Sequence, residues 1–143
     1  MGANDLKRPL RSVTIEVMPD ARLSKNRLRS THWQTLSKLS KKAREDAFIL
    51  ALVEKPDDWE TPARATVEIT QYHARIPLDY EGLACQAAAY LDGMVDAGIL
   101  LDDSPNVVTR YEMSHQKVKT VAESRITITV KPVDEHIGVE HGD

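Results

Sequence analysis

The stretch that decides the fold is residues 79–105, DYEGLACQAAAYLDGMVDAGILLDDSP. Its middle is rich in alanine, and its larger apolar residues recur at three- and four-residue spacing, which predicts a helix over residues 82–97. Gly98 follows directly, at the position where a helix end favours the left-handed conformation of glycine. The turn-forming residues 102–106 come next. This one stretch therefore predicts a helix with an acidic group at each end.

The two acidic groups contain four carboxylates: Asp79 and Glu81 before the helix, and Asp102 and Asp103 after it. Residues 76–109 contain no Lys or Arg to neutralise them. Like charges about 4 Å apart repel by ~1 to 4 kcal/mol, so a fold that brings these side chains together favours a cation between them. Oxygen ligands of this kind are typical of Mg²⁺ or Mn²⁺. The natural substrate of such a cluster is a phosphodiester.

Each acidic group also has an ordinary structural interpretation. Asp79 and Glu81 precede a helix N-terminus, where the helix dipole tolerates negative charge, so helix capping is sufficient to explain them. Asp102 and Asp103 lie in a sequence typical of a turn. The spacing alone leaves open whether the two groups meet in the folded chain.

The remaining pattern predicts the fold class. Alternating or β-branched residues predict strands over residues 12–18, 64–75, 107–113 and 125–130. Apolar residues at helical spacing, behind a Thr31–Gln34 capping box, predict a first helix that ends near Val53. The order β-α-β-α-β-β predicts an α/β (α+β) fold with a small mixed sheet covered by two helices. The polar, basic segment 114–124 is expected to be a mobile loop.

Length and composition predict a single soluble domain over residues 1–143. Residues 1–11 are expected to be a loose basic arm and residues 131–143 a disordered acidic tail. No apolar run approaches the ~20 residues that span a bilayer, so no membrane partner is expected. The single cysteine, Cys85, excludes an intrachain disulfide. Together with the polar N-terminus it predicts a cytoplasmic protein.

Charge is distributed unevenly along the chain. The net charge is −3, but residues 1–45 carry +7 and the remaining residues carry −10. A basic region beside an acidic centre suits a metal-dependent nuclease, in which the first attracts phosphate and the second holds cations. A solvated helix face beside an acidic surface explains the same asymmetry, so charge alone does not decide.

Two parts of the chain carry a recognisable pattern. One is Asp79-x-Glu81-Gly82-Leu83 followed by LDGMVDAGILLDDSP at 91–105, and the other is SKNR at 24–27 with His32-Trp33 opening a helix. Together they resemble the RusA family of Holliday-junction resolvases, often carried by phages and prophages. The family pattern is roughly D-x-D-N-L, a helix with a lysine, then L-D-x-L and G-(hydrophobic)₃-D-D-(S/A). The order of strands and helices is similar as well, which implies a RusA-like fold.

The resemblance implies a homodimer that binds four-way DNA and nicks two opposed strands with Mg²⁺ or Mn²⁺. Asp79, Glu81 and Asp103 fall on the family's metal-binding, catalytic carboxylates. Asp102 lies beside them and is a further candidate ligand. The candidate DNA contacts are Asn26, Arg27, Arg29, Lys38, Lys41, Lys42, Arg75, Lys117 and Lys119.

The chain departs from the family pattern at three places. Glu81 replaces an aspartate, which keeps the charge and adds a methylene, and Gly82 replaces an asparagine. The helix has no lysine, and Cys85 and Ala88 are the two candidate positions for it, depending on the alignment. That lysine would contact phosphate or the leaving group, so its loss can cost orders of magnitude in rate. Candidates to substitute for it are Arg75, Lys117 and Lys119.

Three functions remain open from the sequence. The first is a metal-dependent, structure-specific endonuclease that resolves four-way junctions by paired nicks. The second is a dimeric junction-binding protein with weakened catalysis, which the missing lysine favours. The third is an α/β interaction module that does not bind nucleic acid, which the acidic isoelectric point favours.

Overall fold

The computed structural model describes residues 11–19 and 33–133. In the described ranges the elements are, in order, β1 (Val13–Val17), α1 (Trp33–Glu54), β2 (Ala65–His73), α2 (Tyr80–Asp96), β3 (Val108–Lys117) and β4 (Arg125–Pro132). A short 3₁₀ turn, Val121–Glu123, precedes β4. The predicted mixed α+β class and the order β-α-β-α-β-β are confirmed.

The four strands form one mixed sheet in the order β1-β4-β2-β3. β4 pairs antiparallel with both β1 and β2, whereas β2 and β3 are parallel neighbours. α2 joins the parallel pair, so β2–α2–β3 is a βαβ unit in which the helix runs antiparallel to its strands. This topology positions the acidic groups, because α2 starts at the carboxyl ends of β2 and β3 and finishes near their amino ends.

One face of the sheet is buried and the other is polar. Every second residue is buried along β1, β2 and most of β4, and these side chains share one core with the two helices. The opposite face carries polar pairs, such as the Thr14 and Thr129 hydroxyls at 2.8 Å and the ion pair between Arg125 and Glu16. Both helices therefore cover the same face, and the alternation that predicted the strands reflects this one-sided burial.

The two helices approach closely at Gly93 of α2. A Cβ placed on Gly93 would lie 2.3 Å from the backbone oxygen of Arg44 and 2.8 Å from the Cβ of Ala47. The residues one turn to either side of Ala47, Ala43 and Ala51, are also small and buried. Small residues on both helices permit the close approach, which brings charged side chains of α1 next to α2.

The predicted glycine stop of α2 is confirmed. Gly98 adopts a φ of 78°, and its amide donates to the carbonyl of Val95. The Lys55 ammonium donates to the carbonyl oxygen of Ala97 at 3.0 Å, and the Thr61 hydroxyl donates to the carbonyl of Gly98 at 2.6 Å. These two side chains satisfy carbonyls that the end of a helix leaves unpaired.

β3 differs most from its sequence-based prediction. It continues to Lys117, through residues predicted to start a mobile loop, and the 3₁₀ turn occupies part of the remaining loop. β3 is an edge strand, paired with β2 alone among the described elements. Its later residues are polar because an exposed edge strand does not require an alternating apolar pattern. The prediction of a mobile segment was therefore wrong for residues 114–117.

Smaller differences concern the helix start and the chain ends. α2 begins at Tyr80 rather than at residue 82. β4 extends to Pro132, so the first two residues of the predicted tail belong to the sheet. Thr31 of the predicted capping box, residues 1–10 of the predicted arm and residues 134–143 of the tail lie outside what the structure describes. Within the described residues, no helix is long and apolar enough to cross a membrane.

Candidate metal and nucleic-acid site

The accessible side of α2 carries the candidate site. Glu81, Cys85, Ala88, Asp92 and Asp96 recur at three- and four-residue spacing, so they fall along one side of the helix; together they are termed the α2 row. Glu81, Ala88 and Asp96 are exposed, whereas Cys85 and Asp92 are partly buried. The α2 row thus has an acidic residue at its start, two at its end and small residues between them.

Asp79 is the N-cap of α2. Its Oδ1 accepts the amide hydrogen of Gly82 at 2.6 Å. The preceding residue, Leu78, is held by Gln71 of β2, whose side chain donates to the Leu78 carbonyl at 2.8 Å and accepts from the Leu78 amide at 3.0 Å. The buried Gln71 therefore fixes the loop that delivers Asp79 to the helix start, and the capping interpretation of Asp79 is confirmed.

Replacing Asp79 by Ala removes this cap, and we expect the free energy of unfolding to fall by about 0.5–2 kcal/mol. Asp79→Ser keeps a capping oxygen without the charge, so most of the stability should be retained. Urea unfolding in EDTA measures both variants free of any metal contribution. An equal loss in the two variants would show that the charge of Asp79, rather than its cap, stabilises the helix.

A second group of carboxylates lies where α2 ends. Burial raises the pKa of Asp92, and the negative charges of Asp103, Asp96 and Asp102 raise it further. Burial also raises the pKa of Tyr111, again assisted by the charges of Asp103 and Asp102. The Tyr111 hydroxyl donates to the carbonyl oxygen of Asp103 at 3.3 Å. Asp92, Asp102 and Asp103 therefore share one electrostatic neighbourhood, termed the C-terminal acidic group.

Asp92 is the member of this group that the sequence analysis missed as a site residue. It lies eleven residues after Glu81, which is close to three full helical turns. Two signals were available: this helical spacing, and its place in the L-D-x-L part of the family pattern. Neither was decisive without the position of Asp103, which depends on where the chain goes after α2.

The raised pKa of Asp92 predicts a pH-dependent stability. Because its pKa is higher in the folded chain than in the unfolded one, ionisation of Asp92 opposes folding. The free energy of unfolding therefore falls as pH rises from the unfolded-state pKa of Asp92 to its folded-state pKa. Above the folded-state pKa the loss is complete. We expect Asp92→Asn to increase the free energy of unfolding at neutral pH without metal. The increase should shrink as pH falls toward the ordinary aspartate value of 3.8.

Urea unfolding over a pH series in EDTA measures this effect. Glu123→Gln is a suitable control, because Glu123 is a carboxylate in the 3₁₀ turn, outside the acidic groups. A neutral-pH stability of Asp92→Asn equal to or below that of the wild type would contradict the expectation.

The topology keeps the two acidic groups apart within one chain. Glu81 and Asp92 are separated by about 16 Å along the helix axis, whereas Mg²⁺–oxygen bonds are ~2.1 Å long. Among the residues that the structure describes, no three His, Cys, Asp or Glu side chains are placed to hold one metal ion. The structure thus does not bring Asp79, Glu81 and Asp103 onto a common ion in a single chain, because α2 spans the length of the strands between them.

An Mg²⁺ site in which the substrate supplies some of the ligands needs fewer protein carboxylates, and the C-terminal acidic group has enough for such a site. Proteins commonly hold Mg²⁺ by one or two carboxylates, with water and substrate phosphates completing the octahedron. Asp92 and Asp103 are both oxygen donors, and the charge of Asp103 contributes to the raised pKa of Asp92. Their mutual repulsion is what a divalent ion would relieve, so the donors fit Mg²⁺ or Mn²⁺ when a phosphate supplies further ligands.

Arg44 of α1 lies beside this group. Its guanidinium forms a bidentate ion pair with Asp96, with nitrogen–oxygen distances of 2.6 and 2.8 Å. The hydrogen bond and charge of Arg44 lower the pKa of Asp96, and Asp96 in turn raises the pKa of Arg44. Lys41 and Phe48 join this pair in lining an open cavity of about 460 Å³. The basic side of α1 therefore reaches the acidic end of the α2 row.

The candidate DNA contacts fall into three sets. Lys38, Lys41 and Lys42 are exposed on α1, and the Lys42 ammonium also pairs with Asp46 at 2.7 Å. A second set is exposed near the carboxyl ends of β2 and β3, close to the start of α2, and consists of Arg75, Lys117 and Lys119. The third set lies outside the described residues: Asn26, Arg27 and Arg29. Positive side chains thus flank both ends of the α2 row.

Comparison with known proteins adds no family assignment. A scan against protein-family models finds no match, and neither does a search of curated proteins. The RusA resemblance therefore rests on the residues quoted above, and the activity it implies is a proposal.

Proposed function

We propose that the chain is a metal-dependent, structure-specific endonuclease that resolves four-way DNA junctions by paired nicks. The observation that carries the proposal is the C-terminal acidic group beside the cations of α1. Burial and nearby negative charge raise the pKa of Asp92, while Arg44 is already paired with Asp96. A group of mutually repelling carboxylates, in which Asp92 is partly buried and Asp102 and Asp103 are exposed, suits a divalent ion and a phosphodiester when basic side chains lie nearby.

The proposed metal ligands are Asp103 and Asp102, together with Asp92. Asp79 and Glu81, at the start of α2, are also proposed as metal ligands and catalytic carboxylates. They would contribute only in the DNA-bound or dimeric state. When bound, Mg²⁺ or Mn²⁺ supplies water activation and offsets charge on the scissile phosphate. The carboxylates of the chain would orient the ion, and the exposed lysines would hold the DNA backbone.

A homodimer forms part of the proposal. Paired nicks on a two-fold junction need two sites related by a matching two-fold axis. β3 is a candidate contact, because it is a ten-residue edge strand with mostly exposed residues. Sedimentation at micromolar concentration should give twice the 16.0 kDa mass of one chain, and a monomer alone would contradict the dimer. A DNA substrate and a reduced Cys85 are both compatible with the cytoplasm.

Cleavage of a synthetic four-way junction tests the activity. Wild-type protein with Mg²⁺ or Mn²⁺ is expected to nick two opposed strands, and linear duplex of the same sequence is the control substrate. Asp103→Asn should abolish cleavage while binding in EDTA persists or strengthens, because one repelling charge is removed. If neither cleavage nor binding is detected, the nucleic-acid proposal is wrong and an interaction module is the better hypothesis.

Junction binding without cleavage is the second candidate function. Two observations favour it: Ala88 or Cys85 stands where the family has a lysine, and no three-ligand metal group occurs within residues 11–19 and 33–133. Tight binding in EDTA, with no nicking in either metal, would favour this function over the endonuclease.

The lysines of α1 should determine the salt dependence of DNA binding. Each phosphate contact contributes about −0.9 to the slope of log affinity against log salt. Replacing Lys41 and Lys42 by Ala should therefore weaken binding and flatten the slope by up to about 2. Lys42 should contribute the smaller part, because Asp46 already pairs with it.

Lys131→Ala is a matched control for this prediction. Lys131 is also an exposed lysine in an ion pair, with Glu68 at 2.7 Å, but it lies on β4, away from α1. Its removal should leave the slope unchanged. An unchanged slope for the Lys41/Lys42 variant as well would show that the basic side of α1 is only a solvated surface.

A further inference from the structure

Two histidines meet at the carboxyl ends of β2 and β3. In the parallel register His115 is opposite Gln71, and His73 is opposite Lys117. Since side chains two residues apart share a face of a strand, His73 and His115 are diagonal neighbours on one face of the sheet. The Nε2 atom of His73 is 3.1 Å from the Nδ1 atom of His115. The fold has thus brought together two imidazoles that are 42 residues apart in sequence.

The backbone fixes which nitrogen of His73 carries hydrogen. Nδ1 of His73 lies 2.8 Å from the carbonyl oxygen of Arg75. A carbonyl oxygen only accepts hydrogen bonds, so Nδ1 is the donor and Nε2 of the neutral ring has a free lone pair directed at His115. Donation from one ring nitrogen to a backbone carbonyl is the arrangement that orients histidine ligands in metal sites.

The spacing of the two facing nitrogens suits two ligands of one ion. For metal–nitrogen bonds of ~2.0–2.1 Å at a tetrahedral angle, the nitrogens are ~3.4 Å apart, close to the observed 3.1 Å. With His73 in this tautomer, Nδ1 of His115 donates a hydrogen bond to Nε2 of His73. Exchange with water can move that hydrogen to Nε2 of His115, after which both facing nitrogens are lone-pair donors and the charge is unchanged.

The two histidines are accessible, and their imidazole nitrogens suit a different metal ion from the Mg²⁺ proposed for the carboxylates. His115 is exposed and His73 is partly buried, and the two rings are tilted by 39° with centroids 5.2 Å apart. The ring of Tyr80 flanks His115 at a centroid distance of 6.4 Å. Imidazole nitrogens favour Zn²⁺, Ni²⁺ or Cu²⁺, whereas Mg²⁺ prefers oxygen.

We propose that His73 and His115 bind one late first-row transition ion through His73 Nε2 and His115 Nδ1, with water completing its coordination. The site lies at the opposite end of α2 from the C-terminal acidic group proposed for Mg²⁺, and it does not depend on any nuclease activity. A bound ion would tie the end of β2 to the end of β3 beside the first turn of α2.

Calorimetric titration of the full chain with Ni²⁺ tests the site at neutral pH. The wild type should bind Ni²⁺ at this pair, and His73→Gln and His115→Gln should each weaken that binding by at least about tenfold. The matched control replaces the other three histidines, His32, His136 and His141, with Gln together. This triple variant should retain the wild-type affinity of the pair, and circular dichroism checks that every variant is folded.

A second measurement identifies the ligating atoms. On addition of Zn²⁺, the ¹⁵N resonances of His73 Nε2 and His115 Nδ1 should shift together. Wild-type Ni²⁺ affinity in both single variants would overturn the proposal, and so would loss of binding in the triple variant. Loss of Ni²⁺ binding in Asp103→Asn would also overturn it, because the ion would then be held by the carboxylates. DNA cleavage enters none of these readouts, so the result is independent of the proposed function.

Discussion

Gly93→Ala is expected to lower the free energy of unfolding by about 1–3 kcal/mol, and more if α1 cannot move. The added Cβ would lie 2.3 Å from the backbone oxygen of Arg44 and 2.9 Å from the backbone nitrogen of Phe48. Backbone atoms cannot rotate aside, so the helices must separate. The better helix propensity of Ala would return at most ~1 kcal/mol, which is too little to offset a clash with two backbone atoms and a neighbouring methyl group.

Gly82→Ala is the matched control, since it makes the same change in the first turn of α2. There the nearest atom to the added Cβ is Oδ1 of Asp79, at 3.0 Å, followed by two side-chain carbons of Leu78 at 3.7 and 3.8 Å. A carboxylate can shift by a few tenths of an ångström, so a small change in either direction is expected. Urea unfolding at neutral pH compares the two variants. Equal effects would mean that the contact at Gly93 does not limit the approach of α1.

The strands show where a sequence pattern is sufficient to predict structure. Val13, Ile15 and Val17 alternate with polar residues because one face of β1 is buried, so the pattern and the burial have the same cause. The last part of β3 has no such pattern. It pairs with β2 through its backbone, and its side chains face solvent. Its polar composition therefore did not distinguish it from a loop.

The candidate site was predictable only where its contacts are local. Asp79 caps α2 through the amide of Gly82, three residues away, and the sequence allowed that interaction to be recognised. The separation of the two acidic groups follows from the parallel pairing of β2 and β3, which forces α2 to run the length of the strands between them. The spacing of residues within 79–105 therefore could not predict this separation.

The long-range contacts of the site were hidden for the same reason. Arg44 and Asp96 are 52 residues apart in sequence, and their pairing depends on the close approach that Gly93 and Ala47 permit. Asp92 acquires its raised pKa partly from Asp103, which α2 and the following turn bring near. Residue types were therefore predictable, whereas their partners were set by helix packing and strand order.

Ala88→Lys is expected to increase the rate of junction cleavage by about 10²-fold, the usual effect of one well-placed group that stabilises charge in a transition state. Ala88 is exposed near the middle of the α2 row, so a lysine can extend there without displacing core atoms. Its ammonium would lie between Glu81 and Asp92, in a stretch with no Lys or Arg from residue 76 to residue 109.

Single-turnover cleavage of a labelled four-way junction at saturating Mg²⁺ measures this effect, with binding in EDTA measured alongside. Ala88→Gln is the control for side-chain length without charge, and it should leave the rate unchanged. Cys85→Lys tests the other candidate position; because Cys85 is partly buried, burial of a lysine stem there should cost stability, and a smaller gain in rate is expected. Equal rates for Ala88→Lys and Ala88→Gln would contradict the role assigned to the missing cation. Absence of cleavage in all three variants, with binding intact, would favour a protein that recognises junctions without cutting them.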